Sequence, residues 1–295
     1  MYFRNPLIHP TIFFLKVTEL IRMSHTLLHI ENVVWIIAED SETCSDFVNN
    51  FVRSTNLPYV HLTSPMPKMY LDEEHKPRGV SNRRASMKWI LENHEWPQEG
   101  VLYFADDDNT YDLKLFEQIR KTKKVSMFPV GFIGKTGVSS PIVKGGKVIG
   151  FHDAWFGNRE FPIDMAGFAV NVRFLRDRIN ASMPFLAGAE ENMFLQSLQL
   201  RLIDIGKHIG HWYPIFKCLN LYVLEPLANG CTEVLVWHTK SKTEDLPQIK
   251  PSNLLQFHNL KGLFKDLIYK GVVLLNSESP LEIGVCLNGA ECDTV

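Results

Sequence analysis

The sequence is poor in cysteine, and the cysteines it has show no pairing pattern. Only five occur in 295 residues, and none lies in a CxxC pair. A disulfide scaffold and a cysteine-based zinc site are therefore not indicated, and we expect buried free thiols with at most one bridge. The five are Cys44, Cys218, Cys231, Cys286 and Cys292.

An excess of one charge is also missing. Lys and Arg total 31 against 33 for Asp and Glu, which leaves a net charge of -2. Such a balance gives no overall attraction to nucleic acid or to anionic lipid, so we expect no nucleic-acid partner. A hydrophobic content of 45% in a chain of this length is ordinary for a globular protein.

Long hydrophobic runs are absent as well. The longest, such as residues 33–38 and 272–275, fall far short of the roughly 20 residues that a helix needs to span a bilayer. Near the start, Arg4, His9 and Lys16 interrupt the apolar residues and no small-residue cleavage site follows. We therefore expect neither a membrane anchor nor a signal peptide in this sequence.

The first half does contain a regular alternation of short apolar runs and helix-period segments. This alternation predicts an α/β fold, with a mainly parallel sheet and helices on both of its faces. The predicted helices are residues 18–28, 42–54 and 80–92, and the predicted strands are residues 33–38, 59–62 and 100–105.

The second half predicts a smaller α/β subdomain that continues the same sheet. We place the seam near residue 128 and expect parts at 1–128, 129–240 and 241–295, the last a partly irregular extension with one amphipathic stretch at 254–269. The predicted elements are helices at 113–121 and 190–202, a strand at 125–130, a Gly-rich β-meander at 131–151, and a loop entering a strand at 161–170.

Three consecutive carboxylates, Asp106, Asp107 and Asp108, directly follow the predicted strand GVLYFA. Ligands of such sheets bind beyond the carboxyl ends of the strands, and adjacent carboxylates raise one another's pKa unless a cation compensates them. Oxygen ligands favour Mg²⁺ or Mn²⁺, which takes one or two carboxylates together with substrate phosphates. The alternative is a solvated acidic turn that caps the next helix.

The surroundings of this acidic run resemble a known family. The segments YFADDDNTY, GFHDAWFGNREFPIDMAGFAV and CTEVLVWHTK are together similar to the β-1,3-glucuronosyltransferases, which add glucuronic acid from UDP-glucuronate to a terminal galactose. The resemblance covers residues 30–239 and is most specific over 100–170. It implies a GT-A-like glycosyltransferase fold with a nucleotide-binding and an acceptor-binding subdomain. It also implies that Asp108 binds Mn²⁺, with Asp106 and Asp107 near the donor ribose and the metal waters.

The resemblance implies four further donor contacts. Arg78 and Arg83 match the family stretch PRGVxxR, and an arginine fork suits a carboxylate or phosphate; an Arg cluster that opens a helix otherwise indicates a solvated face. Asp40 matches a uracil-reading aspartate, although it or Ser41 could instead cap the following helix. His238 matches a histidine that contacts the UDP diphosphate, where a structural histidine is the alternative.

The resemblance also implies a base and an acceptor site. The G-x-x-E register puts Glu191 in the role of the base that deprotonates the acceptor hydroxyl, while Glu190 could raise its pKa or cap the helix. Trp155, Arg159 and Asp164 match the residues that hold the acceptor sugar, with the indole face packed on the pyranose. A buried core role is the alternative for Trp155.

The sequence departs from the family pattern at several points. The tyrosine loop that stacks on uracil is missing from residues 9–27, and loss of such stacking costs about 1–3 kcal/mol, or roughly ten- to hundredfold in donor affinity. Ser139 stands where the family has an acceptor-contacting glutamate. Residues 201–223 form an insertion. Lys240 replaces an arginine, which keeps the charge and loses the fork.

The leading hypothesis is a Mn²⁺-dependent inverting transferase that moves glucuronic acid to the 3-hydroxyl of a terminal galactose on a glycan such as the proteoglycan linkage region. The alternatives are a catalytically weak member that binds glycan or nucleotide beside active enzymes, and a transferase of another sugar nucleotide. By analogy we expect a homodimer in the Golgi lumen. The sequon at residues 180–182 matters only in the secretory pathway.

Overall fold

The computed structural model describes residues 10–93, 99–133, 137–155, 157–200 and 223–239, and the short strands at 202–203, 218–219, 248–249 and 274–275. The chain divides into two units, residues 1–7 with 19–241 and residues 8–18 with 242–295. In the second unit the described parts are the start of helix α1 (Pro10–Leu27) and the parallel strands β14 (Gln248–Ile249) and β15 (Leu274–Leu275). The predicted amphipathic stretch at 254–269 and Lys240 lie outside the described residues.

The first unit interleaves helices and strands along the chain. Its helices are the remainder of α1, α2 (Asp46–Ser54), α3 (Val80–Asn93), α4 (Leu113–Ile119), α5 (Val172–Arg176), α6 (Glu190–Ser197) and α7 (Ala228–Cys231). Its strands are β1 (Trp35–Glu39), β2 (Tyr59–Thr63), β3 (Val101–Tyr103), β4 (Thr110–Tyr111), β5 (Val125–Met127), β6 (Val130–Gly131), β7 (Val138–Lys144), β8 (Lys147–His152), β9 (Phe168–Asn171), β10 (Leu202–Ile203), β11 (Cys218–Leu219), β12 (Leu224–Pro226) and β13 (Val236–Trp237).

Each predicted element has a counterpart in the structure. The largest boundary difference is the start of α1, which begins eight residues earlier than predicted, at Pro10. The start of α2 lies four residues later than predicted, because Ser45 caps the helix by accepting a hydrogen bond from the Val48 N–H. Neither Asp40 nor Ser41 is the cap. Residues 10–27 form one continuous helix where the family pattern has its uridine loop, and in the 201–223 insertion the described pieces β10 and β11 pair antiparallel.

The sheets are mixed rather than mainly parallel, although the α/β class is confirmed. β1 and β2 pair in parallel, and so do β5 and β12. The next sheet has the order β12-β5-β9-β3, and β9 runs antiparallel to both β5 and β3. The direction of β9 is reversed because the chain first turns through the predicted meander, now seen as the antiparallel β7–β8 hairpin. That hairpin turns at Gly145 and Gly146, both at positive φ.

Two hydrophobic cores lie on opposite faces of these strands. Along β9, Phe168 and Val170 pack into a core shared with α3, α5 and α6. Ala169 between them packs into a core shared with α1, α2 and α4. Successive strand residues point to opposite faces, so the prediction of helices on both faces is confirmed.

Three predictions on chain organisation have different outcomes. Strands from both sides of residue 128 share the β12-β5-β9-β3 sheet, and the three-part division stays a prediction. Among the described cysteines, Cys44 and Cys231 are free, but Cys44 is exposed rather than buried. Within the described residues, no helix has both the length and the apolar character needed to cross a membrane.

Candidate active site

The acidic run emerges from β3 and differs in exposure from one carboxylate to the next. Asp106 and Asp107 are buried, with exposed fractions of 3% and 4%. Asp108 is partly exposed. A buried charge is costly unless it is paired or hydrogen-bonded, so the chain must supply partners for the first two residues, while Asp108 can also meet a ligand from solvent.

Arg83 on α3 supplies the countercharge for Asp106. Its Nη2 lies 3.2 Å from Asp106 Oδ1, and both side chains are almost fully buried. The sequence analysis assigned Arg83 to the donor and left the three carboxylates to a metal. In the structure part of that compensation comes from within the chain, because the Arg83 guanidinium lies against the first carboxylate.

The backbone carbonyls of the acidic run each accept a hydrogen bond from a side chain elsewhere in the fold. Tyr111 Oη donates to the Asp106 carbonyl at 2.7 Å, and Arg22 Nη2 on α1 donates to the Asp107 carbonyl at 3.2 Å. Thr239 Oγ1 donates to the Asp108 carbonyl at 2.7 Å. None of these three donors is among the site residues predicted from the sequence. Tyr111 and Thr239 lie inside the quoted motifs, but nothing in the sequence marks Arg22.

Asp164 and His238 meet beside the acidic run. Asp164 Oδ1 accepts the Ala166 N–H at the start of a 3₁₀ turn at Met165–Gly167, and Asp164 Oδ2 lies 3.6 Å from His238 Nδ1. The neighbouring Asp164 carboxylate raises the pKa of His238, burial opposes the rise, and the charges of Asp108 and Asp106 add to it. The imidazolium form of His238 is therefore favoured at this edge of the sheet.

Ser139 forms a hydrogen bond with the backbone of Asp164. Its side chain is buried, and its Oγ accepts a hydrogen bond from the Asp164 N–H at 3.2 Å. The position at which the family pattern has an acceptor-contacting glutamate thus carries, in this chain, a hydroxyl that fixes the backbone of a predicted acceptor residue.

Glu191 lies in the first turn of α6, partly buried. The pKa of Glu191 is raised to about 7, chiefly by burial and then by the charge of Asp164, while the charge of Arg83 opposes the rise. Glu190 also contributes to the rise, while the N-cap position of α6 belongs to Ala189. A carboxyl with such a pKa changes protonation near neutral pH, as a general base requires.

Trp155 and Arg159 form a platform beside α6, in which Trp155 is exposed and the Arg159 side chain is largely buried. The indole of Trp155 is 61% exposed, so the core alternative is wrong. The Arg159 guanidinium carbon lies 5.2 Å from the centre of the indole ring. The buried Asp153 holds both residues, because its Oδ1 accepts from the Trp155 N–H at 2.8 Å and from Arg159 Nη2 at 3.0 Å. The sequence analysis did not single out Asp153, which lies two residues before Trp155.

The indole reaches the segment that enters α6. A Cβ atom added at Gly188 would collide with the six-membered ring of Trp155, and Gly188 has a φ of +78°. Only glycine combines that backbone conformation with so close a contact. The indole therefore contacts the chain three residues before Glu191.

The other two predicted donor residues, Asp40 and Arg78, lie next to β1 and α3. Asp40 follows β1, accepts the Met66 N–H at 2.5 Å and is half-buried; burial raises the pKa of Asp40. Arg78 is exposed in the turn that precedes α3. Both roles stay predictions.

The residues of the site fit a metal that is completed by substrate. Within the part of the chain that the structure describes, no group of three or more His, Cys, Asp or Glu converges to hold an ion. Mg²⁺ and ions like it commonly take one or two protein carboxylates and fill the remaining positions with phosphate oxygens and water. The partly exposed Asp108 at the end of β3 suits this arrangement.

Known proteins match this chain over most of its length. The family model of Glycosyltransferase family 43 matches residues 23–208. Galactosylgalactosylxylosylprotein 3-beta-glucuronosyltransferase S of Drosophila melanogaster is 41% identical over 278 residues, which is 94% of this chain and 63% of that protein. Galactosylgalactosylxylosylprotein 3-beta-glucuronosyltransferase P of Drosophila melanogaster is 43% identical over 77% of this chain and 43% of that protein.

A mammalian protein is also similar to this chain. Galactosylgalactosylxylosylprotein 3-beta-glucuronosyltransferase 2 of Rattus norvegicus is 38% identical over 77% of this chain and 65% of its own length. The chain thus spans less than two thirds of each of these relatives. Because the family model matches more than half of this chain, the chain belongs to glycosyltransferase family 43.

Proposed function

We propose that this chain is an inverting 3-beta-glucuronosyltransferase. It moves glucuronic acid from UDP-glucuronate to the 3-hydroxyl of a terminal galactose on a glycan such as the proteoglycan linkage region. The observation that carries the proposal is the electrostatic position of Glu191. Its carboxyl interacts electrostatically with Arg83, the partner of Asp106, and with Asp164, the partner of His238. A base between a donor side and an acceptor side is what an inverting transfer requires.

Glu191 acts on the acceptor hydroxyl. Its carboxylate accepts the hydroxyl proton while the oxygen attacks the anomeric carbon from the face opposite UDP, and the bond from that carbon to the UDP oxygen breaks. With a pKa of about 7, Glu191 is about half ionised at neutral pH, and it still has the proton affinity that a base needs.

The donor is held at the acidic run. Asp40 reads the uracil ring, and Arg78 and His238 meet the diphosphate, with His238 favoured in its charged form by Asp164. Asp108 would hold a divalent ion, Mn²⁺, together with the donor phosphates, and the ion would supply positive charge against the departing UDP. Because residues 10–27 form a helix in place of the uridine loop, we expect donor affinity below that of a protein with the stacked tyrosine.

The acceptor is held at the Trp155 platform. An exposed indole offers an apolar face to a pyranose ring, and Asp164 accepts hydrogen bonds from its hydroxyls. Arg159 binds Asp153 through Nη2, so its main contribution is to steady the indole. By the same family analogy we propose that the chain acts as a homodimer in the Golgi lumen.

A transfer assay tests the proposal. We expect radiolabelled UDP-glucuronate, a galactosyl-galactose acceptor and Mn²⁺ to give a β1,3-linked product, and we expect Glu191→Ala to abolish it while Glu190→Ala does not. Donor binding without product would instead support the non-catalytic alternative. Product from another UDP-sugar but none from UDP-glucuronate would contradict the assigned donor, and equal rates for the wild type and Glu191→Ala would contradict the assigned base.

A further inference from the structure

Two threonine hydroxyls form a directed chain that ends on Asp108. Thr239 Oγ1 donates to the Asp108 carbonyl at 2.7 Å, and Thr110 Oγ1 lies 3.0 Å from Thr239 Oγ1. A threonine hydroxyl carries one hydrogen. Since Thr239 spends its hydrogen on Asp108, Thr110 must be the donor to Thr239. The direction is therefore Thr110 to Thr239 to the Asp108 carbonyl.

Strand pairing brings this chain together from distant parts of the sequence. Thr110 opens β4, which pairs antiparallel with β13 so that Thr110 lies opposite Trp237. Two residues later Thr239 reaches the acidic run, and between them the His238 N–H donates to the Gly131 carbonyl of β6 at 2.9 Å. The two neighbouring strands therefore hold the backbone that leads directly to Thr239.

The hydroxyl acts where orientation matters. Asp108 is the partly exposed member of the acidic run, and the Thr239 hydroxyl holds its backbone carbonyl as Tyr111 and Arg22 hold those of Asp106 and Asp107. A hydrogen bond to its own carbonyl restricts rotation of the adjoining peptide and hence the direction of the Asp108 side chain. Groups that support a metal ligand in this way tune metal affinity without touching the metal.

We propose that Thr239, aided by Thr110, is a positioning residue that orients Asp108 for the divalent ion. The inference rests on the proposed function only in taking Asp108 as the metal ligand. It concerns metal affinity, so it can be tested without turnover.

The test is a titration of Mn²⁺ in the presence of UDP, followed through the electron paramagnetic resonance of the free ion. We expect Thr239→Val, which keeps the shape and loses the hydroxyl, to raise the Mn²⁺ dissociation constant about tenfold, equivalent to about 1.4 kcal/mol. Thr239→Ser should restore it to within about twofold of the wild type. Thr110→Val, which leaves the Thr239 to Asp108 bond in place, should change it less than about threefold.

UDP affinity without metal separates positioning from a general structural role. We expect it to stay within about twofold of the wild type in Thr239→Val, because the hydroxyl supports one carboxylate and not the nucleotide pocket. Wild-type Mn²⁺ affinity in folded Thr239→Val, or a Thr239→Ser variant as weak as Thr239→Val, would overturn the inference. A wild type that binds Mn²⁺ but transfers no sugar would refute the proposed function and leave this inference standing.

Discussion

The two sides of the site handle charge in opposite ways. On the donor side, Asp106 is buried against Arg83 at 3.2 Å, and the three carbonyls of the acidic run accept hydrogen bonds from distant side chains. On the acceptor side, Glu191 keeps a carboxyl whose pKa is raised to about 7 by burial and by Asp164. Part of the donor-side charge is compensated within the chain, and the acceptor side keeps a carboxyl with proton affinity.

This difference matches what each side has to do. A pocket that binds a diphosphate through an ion works best when its carboxylates are already ionised and fixed, because reorganisation then costs nothing at the moment of reaction. A base must change its protonation during the reaction, and burial beside like charge provides that ability. Three substitutions probe the contrast, from the largest expected effect to the smallest.

The largest effect is expected from Glu191→Gln. Loss of the base should lower kcat by about 10²–10⁴-fold. The wild-type rate should rise with pH through a midpoint near the pKa of about 7, because only the carboxylate accepts the proton. Rates over a pH series measure both, with Glu190→Gln as the matched control. A wild-type rate that is flat across neutral pH would show that the acceptor side has no such proton affinity.

The same substitution should affect stability in the other direction. The pKa of Glu191 is raised on folding from 4.5 to about 7, so the folded protein favours the neutral form. The resulting stabilisation is complete below about pH 4.5 and is lost as the pH rises towards 7. Glutamine stays neutral, so the melting temperature of Glu191→Gln relative to the wild type should increase over that range.

A somewhat smaller effect is expected from Arg83→Gln, on stability. Removal of the guanidinium leaves Asp106 buried without its countercharge, and breaking a buried pair in this way costs about 3 kcal/mol. Urea unfolding measures the loss. The neighbouring Arg84, which is exposed, supplies the control Arg84→Gln, expected to cost less than about 1 kcal/mol. Equal losses for the two variants would remove the basis for calling the donor side internally compensated.

The smallest effect is expected from Gly188→Ala, on acceptor binding. The new Cβ would displace the Trp155 indole, so the KM for the acceptor should rise about tenfold while UDP affinity is unchanged. Gly146→Ala is a matched control, because Gly146 also has positive φ but has nothing within 4 Å of the added atom. Both variants carry the backbone strain, about 1 kcal/mol. If the acceptor KM rose equally in both variants, the Trp155 platform would have no specific role in acceptor binding.

The sequence predicts the elements well and their directions poorly. The helices at 18–28 and 80–92 correspond to α1 and α3, because the period of apolar residues is a local property that the chain displays directly. Strand direction has no such local signal. The antiparallel insertion of β9 between β3 and β5 depends on where the chain returns after the β7–β8 hairpin, and the start of α2 depends on which of several polar residues becomes its cap.

The sequence by itself determined the residue types of the site and, through its family motifs, the roles expected of them. Asp108, Glu191 and Trp155 were all named from their neighbours in the chain. The tertiary structure decided which of these groups are compensated, because charge pairing depends on distance and burial. Arg83 lies against Asp106, Asp164 against His238, and the hydroxyl of Thr239 against the Asp108 carbonyl. These pairs join positions 23, 74 and 131 residues apart, and only folding brings them within reach.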